Sequence, residues 1–284
     1  DADTDGDIEV HMPTFEELAD GVNVMVPGGE TICGRETDYA FFVMAGDRSR
    51  LVIDFEGGGA CWDEATCSFS GSLFKEEVNI DDYDFEEISG VYDRDNADNP
   101  VREWSHVYIP YCTGDLHWGN NVHTYGSGDA AFDLHHRGAV NASAAIQWVY
   151  DNFPAPERIL VTGCSAGAYG SIGWAPHIMN NYSEATIVQM ADCGAGIITG
   201  SFFDDVFDNW DPELIRPEFI PALRDMDLST MTLPQFYNAV AAHFTGNTFS
   251  QYNTAFDTSQ VFYFQAMGGG TAEDWSTQMF ANTA

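Results

Sequence analysis

The chain reads as an α/β protein: a mostly parallel central sheet, helices on both faces and a helical insert. Three observations predict this. Short apolar, β-branched and aromatic runs alternate with stretches of helical periodicity over most of the 284 residues. A strand that re-enters its own sheet through a helix makes a right-handed parallel crossover, and a parallel sheet needs cover on both faces. Finally, LVTGCSAGAYGS (residues 160–171) places a serine between two glycines where a strand gives way to a helix.

The elements follow in order. YAFFVMA, GDRS and RLVIDFEGGG (39–59) predict a hairpin, two β-rich runs around a polar turn. SHVYIPYC (105–112) is a further strand, and AVNASAAIQWVYDNF (139–153) is a helix stopped by Pro154 and Pro156. RILVTG (158–163) is a strand, a small-residue helix begins at Ser165, and ATIVQMAD (185–192) is a buried strand. From about Gly200 to Thr245 helical segments such as TLPQFYNAVAAHF predict a cap over a pocket. QVFYFQAM (260–267) is expected as a strand and AEDWSTQMFANTA (272–284) as a helix. No repeat or low-complexity linker interrupts the chain, so residues 31–284 are expected to form one domain behind an acidic segment, 1–30.

The charge balance excludes several functions. Ten basic residues stand against 45 acidic ones, a net charge of −35, and Lys75 is the only lysine. Nucleic acid and anionic lipid are bound through lysine and arginine, so neither is an expected partner. An acidic, lysine-poor surface suits salty media, where self-repulsion is screened, so a salt-adapted protein is expected. No run of 18 or more apolar residues exists to span a membrane.

Six cysteines form no C-x-x-C pair, and their even number points to an oxidising, extracytoplasmic compartment. Cys61 and Cys67 suit a short disulfide loop, and a bridge from Cys164 to Cys193 would brace the ends of two neighbouring strands. DADTDGDIEV opens like a calcium loop, but Met12 stands where such loops need a glutamate, so an acidic tail is the better reading. Asp133, His135 and His136 read as loop or helix-start polarity, because adjacent histidines point apart. No metal and no cofactor is expected.

Strand, G-x-S-x-G, helix is the context of a nucleophile elbow, in which a tight turn exposes the serine Oγ at the end of the strand. Ser165 is therefore the candidate nucleophile. The N–H of Ala166, at the helix start, faces a developing oxyanion, and the loop of Gly57, Gly58 and Gly59 after an earlier strand supplies further donors.

FEGGGACW, IPYCTGDLHWG, TGCSAGAYGS, ADCGAG and FDTSQVFYF occur in the order and approximate spacing of the pectin acetylesterase and Notum family of serine esterases, which residues 35–284 resemble. The resemblance implies an α/β-hydrolase fold and hydrolysis of acetyl or short acyl esters, with an acylated carbohydrate as the substrate class. It assigns the nucleophile to Ser165, the oxyanion donors to the amides of Gly58, Gly59 and Ala166, and the triad acid to Asp257, with Asp192 as the competitor. Asp115, His117 and Trp118 fall in a loop that the family places near its substrate. Gly59 stands where animal members carry a tryptophan, so the pocket is expected to be open there.

The base is the departure. The family's histidine follows the acid, and no histidine follows His243 here. The helix still running at Ala284 suggests a chain that continues to it, and His117, His177 and His243 are the upstream alternatives. A binding protein on an esterase-like scaffold, or an acyltransferase, would carry the same motifs.

Overall fold

A computed structural model describes residues 12–68, 72–85, 90–227 and 229–283. The stretch that resembles a calcium loop, 1–11, lies outside the described residues. The strands are β1 (Val22–Met25), β2 (Phe41–Met44), β3 (Asp47–Phe55), β4 (Trp104–Ile109), β5 (Asn121–Tyr125), β6 (Phe132–His136), β7 (Arg158–Cys164), β8 (Thr186–Asp192) and β9 (Thr248–Tyr252). The helices are α1 (Glu64–Cys67), α2 (Gly138–Asn152), α3 (Ala166–Asn181), α4 (Gly200–Trp210), α5 (Pro221–Arg224), α6 (Leu233–His243), α7 (Thr258–Ala266) and α8 (Ala272–Asn282).

Seven strands form one sheet in the order β1-β2-β4-β3-β7-β8-β9, and β5 and β6 make a separate antiparallel pair. From β4 to β9 every pairing is parallel, while β1 and β2 run antiparallel at one edge. The central strands are apolar because both their faces are covered: Leu51, Val52 and Ile53 are fully buried, as are Val161 and Ile187. Helix α2 packs on β4, and α3 lies across β3, β7 and β8. Between β8 and β9 the chain supplies α4, α5 and α6, the helical stretch expected there.

Two expected elements differ. The hairpin over 39–59 does not form: β2 and β3 are separated in the sheet by β4, which pairs with β2 antiparallel and with β3 parallel. The LVI run is buried on both faces and so takes a central position, which a two-stranded hairpin could not offer. Arg94 ties the crossing together, donating to the carbonyls of Ala45 and Trp104 at 3.0 Å each. QVFYFQAM is helix α7, not a strand, because Asp257 caps it by accepting from the N–H groups of Ser259 and Gln260 at 3.0 and 2.9 Å. The edge strand is β9, TFSQY, whose mixed composition carries little β signal.

Disulfides join Cys61 to Cys67, as expected, and Cys33 to Cys112, which ties the segment before β2 to the loop after β4. Cys164 and Cys193 are free thiols, so the bracing bridge between them is not formed. Among the described residues no helix is long and apolar enough to cross a membrane.

Candidate active site

Strand β7 ends at Cys164, in register with Asp192 at the end of β8. The next residue, Ser165, takes φ 57° and ψ −119°, a conformation that L-residues reach only when their surroundings hold them there. The surroundings do so. Its N–H donates to the Asp192 carbonyl at 2.9 Å, and its own carbonyl accepts from the Ala168 N–H at 3.0 Å. The turn is tight enough that α3 starts against the end of β3: a Cβ on Gly167 would fall 1.8 Å from the Phe55 carbonyl oxygen. Ala166 opens α3, so its N–H is one of those that a helix leaves without an intrahelical acceptor, at the positive end of the helix dipole.

The glycine loop follows β3 and is held from behind by Glu56. That carboxylate accepts from Lys75 Nζ, the Tyr83 hydroxyl and the Tyr111 N–H, each at 2.9 Å. Lys75 also donates its backbone N–H to the Gly58 carbonyl at 2.8 Å. Gly57 is the residue pressed on the elbow, since a Cβ there would meet the Cys164 carbonyl oxygen at 2.4 Å and Ser165 Cβ at 3.2 Å. Gly59, at φ +80°, lines the cleft beside Ser165 and Ala166, whereas Gly58 packs against the Tyr111 ring. The space expected to stand open at Gly59 is filled: a Cβ there would lie 2.0 Å from the Leu73 carbonyl oxygen and 2.2 Å from the Tyr263 hydroxyl.

Ser165 lies on a cleft of about 560 Å³, whose walls are mainly apolar and include Trp62, Leu116, Ile197, Phe202 and Trp275. Helix α7 contributes Gln260 and Tyr263. Tyr263 donates to the Leu73 carbonyl at 2.5 Å. Gln260 accepts from the Ala195 N–H at 2.8 Å and donates to Asp257 Oδ2 at 3.2 Å. Asp257 is half-buried at the α7 N-terminus, close enough to Cys164, Asp192 and Tyr169 to act on the ionisation of all three.

The loop 112–119 has a different place from the one its motif implies. Asp115 is fully buried; it accepts from the Thr113 hydroxyl at 2.7 Å and the Gly138 N–H at 2.7 Å, and burial raises its carboxyl to about 6. His117 is 1% exposed, its Nε2 donates to the Glu56 carbonyl at 2.9 Å, and burial lowers it to about 4. Trp118 donates to the Tyr169 carbonyl at 3.0 Å. His117 holds the residue before the glycine loop and Trp118 holds α3, Asp115 ties their loop to the start of α2, and Leu116 is the loop residue that reaches the cleft. His177 donates to the Ile215 carbonyl at 2.9 Å, and His177 and His243 both pack on Phe219. Among the described residues no histidine lines the cleft. Tyr263, Gln260 and Cys193 do, and sequence reading singled out none of them as cleft residues; the aromatic spacing of FYF on a helix was the available signal.

A serine on a strained strand-to-helix turn, at the carboxyl end of a mostly parallel sheet and beside a glycine loop, goes with an α/β-hydrolase-type fold. Solved structures of the Wnt deacylase Notum from Drosophila superpose on it. One covers 91% of this chain and 78% of its own, at TM-score 0.61 and 13% identity. A second crystal form covers 93% and 80%, at TM-score 0.60 and 14% identity. The family model described as pectinacetylesterase matches residues 34–204, more than half of the sequence, and the chain belongs to that family. Pectin acetylesterases 11 and 7 of Arabidopsis thaliana are 29% and 28% identical to it over 123 residues. Those alignments span 43% of this chain and 30% of each relative.

Proposed function

We propose that the chain is a serine carboxylic-ester hydrolase that removes acetyl or short acyl groups, with an acylated carbohydrate as substrate. The observation that carries this reading is Ser165 itself, held at positive φ and lining a cleft together with Ala166 and Gly59 of the glycine loop. Ser165 Oγ attacks the ester carbonyl and loses its proton to a base. The carbonyl oxygen takes the negative charge, held by the amides of Gly58, Gly59 and Ala166. Collapse expels the alcohol with a proton and leaves an acyl-serine, which water hydrolyses to the free acid. Asp257 is the acid that orients the base.

The apolar cleft walls suit the acyl chain. With a charge of −35 the chain repels polyanions at low salt, so neutral acylated glycans fit better than pectin unless salt is high. The disulfides support a secreted setting. One observation favours a second reading, a non-catalytic binding protein: no histidine among the described residues lines the cleft.

A fluorophosphonate probe separates the two. Stoichiometric labelling that maps to Ser165 and is lost in Ser165→Ala, together with release of nitrophenol from nitrophenyl acetate, is the result expected of the hydrolase. A folded full-length protein, with any residues that follow Ala284, that takes no label and releases no nitrophenol overturns it in favour of the binder.

A further inference from the structure

Beside the elbow lies a cluster that the esterase reading does not use. The Sγ atoms of Cys164 and Cys193 and a carboxylate oxygen of Asp192 all lie within 4.8 Å of one another. Cys164 and Asp192 are register partners at the ends of adjacent parallel strands, so both side chains leave the sheet on the same face. Cys193 would continue away from them but for its backbone, which turns to φ 49°, a left-handed conformation rare for residues other than glycine. That strained turn brings the second sulfur back to the first. Four other cysteines form disulfides in this fold, yet these two remain thiols, one exposed and one half-buried.

The surroundings are anionic. Asp192, Asp54 and Asp257 all act electrostatically on Cys164. Two negative sulfurs beside three carboxylates repel one another unless a proton or a cation sits among them. A tetrahedral zinc ion with Zn–S bonds of about 2.3 Å holds its ligands about 3.6 to 3.8 Å apart, and the three donor atoms here already lie within 4.8 Å of one another. The donor set of two thiolates and one carboxylate selects a soft to borderline dication over calcium or magnesium.

We propose that Cys164, Cys193 and Asp192 form a binding site for a thiophilic divalent cation of the zinc class. The two sulfurs and one carboxylate oxygen are the protein ligands, and the exposed Cys164 side leaves the remaining position to water. Binding displaces the two thiol protons to solvent, so it strengthens as pH rises.

The test uses the full chain, with both thiols first shown free by thiol titration, and Co²⁺ as a spectroscopic probe that zinc displaces. One equivalent of Co²⁺ giving a thiolate-to-cobalt charge-transfer band is expected, with the band abolished in Cys164→Ser and in Cys193→Ser. Asp192→Asn is expected to weaken binding by about tenfold or more; its backbone carbonyl, which holds Ser165, is untouched. Three outcomes overturn the proposal: no band with both thiols free, a band that survives the Cys164→Ser/Cys193→Ser double variant, or peptide mapping that finds the two sulfurs bonded in the purified chain. None of these readouts depends on ester turnover, so this proposal and the esterase reading stand or fall separately.

Discussion

Gly57→Ala is the sharpest test of the geometry around Ser165. The added Cβ would sit 2.4 Å from the Cys164 carbonyl oxygen and 3.2 Å from Ser165 Cβ. The first contact is with backbone, so no rotamer relieves it. An ordinary carbon–oxygen contact needs roughly 3.2 Å or more, so the glycine loop and the elbow must separate by about 0.8 Å; an oxyanion donor placed at about 2.9 Å would then fall outside hydrogen-bond range. Loss of one such donor costs about 3 kcal/mol of transition-state stabilisation, a factor of about 10² to 10³ in kcat. Overpacking lowers stability by about 1 to 3 kcal/mol, which leaves the protein folded at room temperature. The assay is kcat and KM on nitrophenyl acetate beside a thermal melt. Gly246→Ala serves as the control, since nothing lies within 4 Å of the Cβ it would add. Gly57→Ala with a lowered melting temperature but kcat within threefold of the parent would refute the assignment of this loop as the oxyanion wall.

Four further outcomes are expected. Lys75→Met removes the cationic partner of Glu56, whose side chain is only 15% exposed, and urea titration should show a loss of about 2 to 3 kcal/mol, below the value for a fully buried pair because Lys75 is 29% exposed. Cys33→Ala/Cys112→Ala opens a loop of 79 residues and should cost about 4.5 kcal/mol, roughly twice the cost of opening the six-residue loop between Cys61 and Cys67, read from the two urea midpoints. With a net charge of −35, raising potassium chloride from about 0.1 to 1 M shortens the screening length from about 10 to 3 Å and should lift the melting temperature by several degrees; a flat response removes the case for salt adaptation. Burial lowers His106 and His117 to about 4 and His136 to about 3, so between pH 6.5 and 4 the unfolded chain takes up protons that the native state refuses, and stability falls with pH. Asp54 and Asp115, raised to about 6, work the other way below pH 6; His117→Gln removes one of the buried histidines and should lessen the loss of urea-derived stability between pH 6 and 4.

How far the sequence could be read depended on how local each cause was. The elbow was legible because a strand, two glycines around Ser165 and a small-residue helix all lie within a dozen residues, although the Asp192 carbonyl that holds the turn comes from β8. The same holds for α6, capped locally by Thr232 and Gln235, whereas α2 takes its N-terminal cap from Asp115, in a distant loop. The hairpin failed because the two runs on either side of Gly46 do look β-rich; what separates them is β4, more than fifty residues later, and only its arrival makes β3 central. QVFYFQAM failed for a related reason. Its composition favours a strand, but one carboxylate, Asp257, satisfies the first free N–H groups of a helix and decides the matter. The motif IPYCTGDLHWG marked a loop that matters, and sequence alone could not say that Asp115, His117 and Trp118 are buried and do not line the cleft.

That arrangement explains why the glycine loop can stay rigid with so little side chain of its own. Three successive glycines have the largest conformational entropy to lose, and an oxyanion wall must hold its amides within a few tenths of an ångström. Rigidity is therefore imported. Glu56, at the loop's start, is held at its carboxylate by Lys75, Tyr83 and Tyr111, at its N–H by the Ile109 carbonyl, and at its own carbonyl by His117. His117 must stay neutral to pack at 1% exposure between Phe55 and Tyr111, and its burial ensures that above about pH 4. The chain's single lysine and a histidine that does not line the cleft thus both hold Glu56, the residue that opens the glycine loop. Lys75→Met should accordingly lower kcat more than it raises KM on nitrophenyl acetate. Unchanged kcat in a variant that has lost the expected stability would show that the loop is held by its neighbours on the elbow side instead.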